Sequence, residues 1–144
     1  MAASAPPLPD FLTDEVARRI AQGSHDDPFS VLGPHKQGRA TVVTAFDPGA
    51  ETLSAVTQKE TIALHPHPDV RGLFQGKVPA GSYRLRGEAH GATWDYPDPY
   101  RFGPVLGEID EYLLGEGTHR RLWTVLGAHV RDHEGARGTH FAVW

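Results

Sequence analysis

The chain has 144 residues, of which 39% are hydrophobic and 22% charged, with 16 glycines, 12 prolines, no cysteine and a formal net charge of −4. This length suits one domain of ordinary size with part of another, and the many turn-forming residues favour short strands over long helices. The weakly acidic balance argues against nucleic acid or an anionic membrane as the main partner, and without cysteine the chain has neither disulfides nor thiolate metal ligands.

The N-terminal segment predicts a disordered tail on a cytoplasmic protein. Residues 1–9 are rich in Ala and Pro, a composition that does not form a packed core. They lack the basic and apolar regions of a signal peptide, and no apolar run approaches the roughly 20 residues that span a bilayer. We therefore expect no membrane contact.

One helix is predicted after this tail, within residues 1–25. Thr13 is a good N-cap, and Gly23 is suited to end the helix. Leu12, Val16 and Ile20 recur at a spacing of four and form one narrow apolar stripe. The stripe predicts that the helix docks on the neighbouring domain or on a later part of the polypeptide, rather than on a membrane.

Residues 26–103 have the pattern of an all-β domain. Turn-forming sequences, including Gly33-Pro34 and Asp47-Pro48-Gly49, separate short apolar segments roughly every 8–12 residues. This spacing predicts an immunoglobulin-like antiparallel β-sandwich. The predicted strands are 30–32, 39–46, 52–57, 60–65, 73–78, 82–88 and 92–96.

An internal repeat divides the rest of the chain. Leu32-Gly33-Pro34-His35 is echoed 94 positions later, counted from Gly33 to Gly127, by Leu126-Gly127-Ala128-His129. Between the copies, residues 104–122 form a connector with a helix predicted at 108–114. Residues 123–144 then begin a second, truncated sandwich module. Within it, residues 139–144 alternate as a strand without a partner, and we expect this strand either to be disordered or to pair with an exposed edge of the first sandwich or of another chain. The repeated histidine is expected to bond turn backbone.

Several segments of the chain resemble the N-terminal region of bacterial 1,4-α-glucan (glycogen) branching enzymes. They are residues 27–35, 46–51, 72–76, 98–102, 106–110, 112–119 and 126–129, ending in Phe141-Ala-Val-Trp144. The resemblance implies a domain order of an N-terminal sandwich, a second carbohydrate-binding-type sandwich, a catalytic (β/α)₈ barrel and a C-terminal β-domain.

The resemblance also implies the chemistry of the parent enzyme. This family, glycosyltransferases of the α-amylase superfamily, cleaves an α-1,4 linkage and transfers the segment to a 6-hydroxyl in glycogen biosynthesis. It uses a retaining mechanism with an aspartate nucleophile and a glutamate acid/base in the barrel. No residue of this chain matches the barrel motifs, so the chain is expected to contain no catalytic residue.

Four aromatic residues close together are the strongest sugar-binding signal. Trp94, Tyr96, Tyr100 and Phe102 all have even numbers, so Trp94 and Tyr96 share a face if they lie on one strand. Rings about 7 Å apart can stack on successive glucose units. The alternative is that they are core or interface residues. Trp94, Tyr96 and Tyr100 are the candidate glucan-binding residues.

The titratable residues give no comparable signal. Asp95 and Asp98 are separated by a proline turn and do not form the pair that glycoside hydrolysis needs. His65 and His67 could share a strand face and His129 and His133 a helical face, but no third ligand is visible for either pair. We expect exposed turn histidines, no metal and no cofactor.

Three functions remain open. In the first, the chain is a non-catalytic module that positions α-glucan (glycogen or maltooligosaccharides) or influences the length of the transferred chain. In the second it is a structural spacer, and in the third an immunoglobulin-like module that binds another protein without contacting glucan. The other expected partner is the rest of its own polypeptide, with Tyr112 and Trp123 as candidate residues of an interdomain seam.

Overall fold

The structure is a computed structural model that describes residues 12–143. The predicted disorder of residues 1–9 and the end of the last predicted strand at Trp144 lie outside the described residues. The chain divides into two compact units, one ending at Arg101 and the other beginning at Phe102. Within residues 12–143, no helix has the length and apolar character needed to cross a bilayer.

The first unit is mainly β. Its described part, residues 12–101, contains one α-helix, eight strands and two short 3₁₀ helices, at Pro28–Ser30 and Pro99–Arg101. The α-helix and strands are α1 (Asp14–Ala21), β1 (Gly33–Gln37), β2 (Ala40–Phe46), β3 (Thr52–Val56), β4 (Thr61–Ala63), β5 (His65–Pro66), β6 (Leu73–Val78), β7 (Arg84–Ala89) and β8 (Ala92–Tyr96).

Two four-stranded antiparallel sheets form a sandwich. Their strand orders are β1-β2-β6-β5 and β4-β3-β7-β8. Side chains from both sheets meet in one core cluster, because alternate residues of each strand point to the same side. Val43 and Phe74 come from the first sheet, and Leu53 and Leu85 from the second. The predicted β-sandwich is confirmed, and its immunoglobulin-like topology stays a prediction.

The helix α1 docks on this unit, as its apolar stripe predicts. Thr13 Oγ1 accepts a hydrogen bond from the Val16 amide at 3.3 Å, and Gly23 follows the helix with a φ of 67°. Leu12 and Ile20 are buried in a second core cluster that also contains Leu73 at the start of β6. The stripe therefore covers the sandwich.

The first predicted strand, 30–32, is wrong. Because Pro28 fixes φ at a helical value and Ser30 Oγ bonds the Asp27 carbonyl at 2.7 Å, the chain turns through a 3₁₀ helix there. The tight turn predicted at Gly33-Pro34 is also displaced, since these two residues begin β1. Gly33 has a φ of 90°, and a Cβ on it would lie 2.5 Å from the Tyr100 carbonyl oxygen.

The predicted strand 60–65 is two strands that belong to different sheets. β4 pairs with β3, whereas β5 pairs with β6. Leu64 lies between them, buried, and its amide donates to the Leu53 carbonyl at 2.8 Å. The chain thus changes sheets at a single apolar residue, which a continuous alternation of side chains does not reveal.

The second unit contains a helix and a hairpin. α2 (Glu108–Gly115) matches the predicted helix, and a 3₁₀ helix at Leu122–Thr124 precedes β9 (Gly127–His133) and β10 (Ala136–Ala142). The prediction of an unpartnered final strand is wrong, because β10 pairs with β9 along its whole length. The pairing rests on a two-residue turn in which Glu134 and Gly135 both have positive φ.

The repeat has the same local geometry in both units. His35 Nε2 lies 3.1 Å from the Leu32 carbonyl, and His129 Nε2 lies 2.9 Å from the Leu126 carbonyl. Each histidine follows a 3₁₀ turn and a positive-φ glycine. The expected backbone-bonding role of the repeated histidine is confirmed.

Candidate functional site

Trp94 and Tyr96 are brought together on one carboxylate. The two residues lie two apart on β8, so their side chains share a face of the strand. Trp94 Nε1 and the Tyr96 hydroxyl both donate to Asp47 Oδ2, at 3.1 and 2.9 Å. Both rings are half-buried and pack against the core cluster. One oxygen thus fixes the positions of two rings.

Asp47 is itself held by the turn that follows β2. Its second oxygen, Oδ1, accepts the Gly49 amide at 3.1 Å, and its backbone amide donates to the Gly72 carbonyl at 2.7 Å. Asp-Pro-Gly favours such a turn because the aspartate side chain can bond backbone two residues on. Contacts other than those with the two rings therefore also orient the carboxylate.

The indole of Trp94 lies directly over the backbone of β7. A Cβ on Gly87, which pairs with Trp94 across the sheet, would lie 2.5 Å from the indole Cε2. Glycine is thus required beneath the ring. Burial, and then the bond to Asp47, raise the pKa of the Tyr96 hydroxyl, so this group stays protonated and remains a donor at neutral pH.

Tyr100 belongs to a different cluster from Trp94 and Tyr96. It packs against the second core cluster, and its ring meets Phe29 edge-on, with centroids 5.0 Å apart. Its amide donates to Asp98 Oδ1 at 2.9 Å. The structure therefore joins two of the three candidate glucan residues and separates the third.

The two acids considered for bond cleavage serve other contacts. Asp95 receives two hydrogen bonds from Arg86, at 2.7 and 2.8 Å, and this pairing lowers the pKa of its carboxyl. Asp98 is 1% exposed and accepts the Tyr83 hydroxyl at 2.6 Å, while burial raises the pKa of the Asp98 carboxyl. Asp95 thus forms an exposed ion pair, and Asp98 is a buried hydrogen-bond acceptor.

The histidine pairs differ from their expected placement. His67 is buried, so its expected exposure is wrong. Its amide donates to the Leu73 carbonyl, and its Nδ1 accepts from the Asp69 amide. His129 and His133 lie on a strand and not on a helix. His133 Nε2 contacts the Gly103 carbonyl at 3.0 Å.

The two candidate seam residues lie in the second unit. Tyr112, on α2, is 62% exposed, and Trp123, in the 3₁₀ helix, is 68% exposed. Large rings with this much exposure are suited to contact another surface. They stay candidates for an interdomain seam.

Sequence reasoning missed Asp47 and Gly87 as parts of the site. In the sequence, Asp47 is recognisable only as part of the Asp-Pro-Gly turn, and the two rings that it binds lie 47 and 49 positions away. Gly87 is a glycine inside a strand, which is a signal of close approach by another group.

The sequence of the first unit matches a known domain family. The family model described as the N-terminal domain of the α-1,4-glucan branching enzyme GlgB matches residues 13–100. Because this match covers more than half of the chain, the chain belongs to the GlgB N-terminal domain family.

Curated relatives named 1,4-α-glucan branching enzyme GlgB are similar over most of the chain. The relative from Roseobacter denitrificans is 50% identical over 134 residues, covering 89% of this chain and 18% of the relative. The one from Mesorhizobium japonicum is 48% identical, covering 87% and 18%. The one from Rhizobium meliloti is 43% identical, covering 97% and 20%. The chain spans about a fifth of these relatives.

The Asp47 contacts predict a specific loss of stability. Replacing Asp47 with Ala leaves two half-buried donors without an acceptor, and we expect the free energy of unfolding to fall by about 2–3 kcal/mol. Urea denaturation followed by circular dichroism measures the change. Asp95→Ala is the control, since loss of an exposed ion pair should change the stability much less. Equal losses in the two variants would contradict the account.

Proposed function

We propose that this chain is the non-catalytic N-terminal module of a cytoplasmic 1,4-α-glucan branching enzyme. The full enzyme would cleave an α-1,4 linkage and transfer the segment to a 6-hydroxyl, making an α-1,6 branch during glycogen biosynthesis. The observation that carries the proposal is the family match over residues 13–100, joined to relatives of the same name that are about five times longer.

Within that enzyme, the module would hold α-glucan on the Trp94–Tyr96 face. Two rings on one strand, both fixed by Asp47, form a platform that loses little freedom when a sugar binds. Contacts of this kind, far from the reacting bond, position a chain and contribute remote binding energy. The length of the transferred chain would depend on that positioning.

A structural spacer is the second candidate. It is favoured by the same contacts, because both rings are half-buried, pack against the module's own core and donate into its own turn. A spacer of this kind would hold the distance between neighbouring domains without touching glucan.

The second unit would begin a further sandwich. Val43 and Phe141 occupy equivalent places in the two hairpins. Each pairs across its hairpin with the residue that follows the repeated glycine, Gly33 or Gly127. Val43 is fully buried in the core, whereas Phe141 is 72% exposed. In the parent protein, later strands would cover Phe141, and Tyr112 and Trp123 would lie at the seam with the rest of the polypeptide.

Titration with maltoheptaose distinguishes the platform from the spacer. We expect the indole N–H resonance of Trp94 to shift saturably, and Trp94→Phe to weaken binding by about tenfold because stacking area is lost. Trp123→Phe, which changes an exposed indole in the other unit, is the matched control and should bind normally. An unshifted Trp94 resonance at high maltoheptaose would leave the spacer as the function.

The effect on chain transfer is tested in the parent enzyme. Deleting residues 1–103 should change the distribution of transferred chain lengths, measured by debranching and chromatography of the product, while branching itself continues. The comparison is with the parent enzyme carrying Trp94→Phe, which should change the distribution in the same direction. An unchanged distribution after deletion would refute a role in transfer.

A further inference from the structure

The end of α2 creates an open cleft in the second unit. The Gly117 amide donates to the Leu114 carbonyl at 3.1 Å, and the Thr118 amide to the Leu113 carbonyl at 3.0 Å. With Gly117 at a φ of 69°, these bonds form a Schellman turn that reverses the chain across the helix. The residues after the turn therefore lie against the face of α2 that carries Asp110.

A hydrogen-bonded pair, His119 and Asp110, lines this cleft. His119 Nε2 lies 2.8 Å from Asp110 Oδ1, and its Nδ1 accepts the Arg121 amide at 3.1 Å, so Nε2 carries the proton and donates. Asp110 Oδ2 accepts the Gly107 amide at 3.3 Å. The His119 side chain is only 7% exposed. Because both ring nitrogens are engaged, the pair cannot move a substrate proton, and the cleft is suited to binding.

The walls of the cleft are basic and rich in donors. Its volume is about 520 Å³, within the range of about 300–1,000 Å³ typical of small-molecule sites. It is also lined by Thr118, Arg120, Arg121 and Thr124. Among the described residues, neither guanidinium has an ion-pair partner. Two guanidinium groups and two hydroxyls thus border one space.

We propose that this cleft binds a phosphate group, either as inorganic phosphate or as part of a sugar phosphate. Arginine presents a planar fork of donors that matches phosphate oxygens, and the Thr118 hydroxyl adds a further donor. The Thr124 hydroxyl already donates to the Arg121 carbonyl at 2.8 Å. The two arginines outweigh Asp110, whose oxygens are already engaged with His119 and Gly107. No Trp, Tyr or Phe is among the described lining residues, and the His119 ring is largely buried, so a neutral sugar lacks a stacking surface. The inference does not depend on the role of the Trp94–Tyr96 face.

Amide resonances of the 144-residue chain test the proposal. Sodium phosphate, glucose 6-phosphate and maltose are titrated separately at constant ionic strength, kept with sodium chloride. We expect phosphate and glucose 6-phosphate to shift the amides of Thr118, Arg120 and Arg121 saturably, and maltose to leave them unchanged. Whichever of the two, inorganic phosphate or glucose 6-phosphate, binds more tightly identifies the class of ligand.

Single-charge variants separate a specific site from general attraction. Arg120→Gln or Arg121→Gln should weaken phosphate binding by about tenfold, the effect of losing one charged hydrogen bond. Arg137→Gln removes the same charge from an exposed position on β10 and should change binding by less than about twofold. A shift that does not saturate, an equal loss in Arg137→Gln, or a response to maltose alone would overturn the proposal.

Discussion

A single carboxylate oxygen connects the two sheets of the sandwich. Asp47 follows β2 in one sheet, and it accepts hydrogen bonds from Trp94 and Tyr96 on β8, the outer strand of the other. The Asp47 backbone amide donates to the Gly72 carbonyl just before β6, so the backbone that carries the carboxylate is also held in place. Apolar packing holds the sheets face to face, but this contact fixes the rings where the sandwich opens to solvent.

The same contact limits what the module can do. Both rings pack against the core, and the Trp94 ring also contacts the backbone of Gly87. A ligand can therefore reach only the part of each ring that remains exposed. The adjacent acids are already occupied, Asp95 by Arg86 and Asp98 by Tyr83. Two fixed rings beside acids that are already hydrogen-bonded agree with the proposed role in binding or spacing.

Local patterns predicted the elements whose signals are complete within a few residues. The strands predicted at 73–78 and 92–96 are β6 and β8 residue for residue, because turn-forming residues bound each of them in the sequence. The ends of α1 were likewise predicted from Thr13 and Gly23, because helix capping depends on residues within one turn of each end.

The errors came from features that the local pattern does not contain. At 60–65, Leu64 keeps the alternation while the chain passes from one sheet to the other. At the end of the chain, positive φ at Glu134 and Gly135 creates a hairpin that hydrophobic periodicity does not signal. The candidate sites were harder still, because Asp47 meets rings far along the chain and only folding brings them together.

Exchange of the Trp94 indole proton with deuterium is the most direct measure of whether Asp47 holds the sheets in this way. The account predicts that this proton exchanges as slowly as the backbone amides of β7 beneath it, because both open only when the sandwich unfolds. The exposed indole of Trp123 supplies the fast reference within the same molecule. Exchange at Trp94 as fast as at Trp123 would contradict the account, since the ring would then leave Asp47 without the sheets separating.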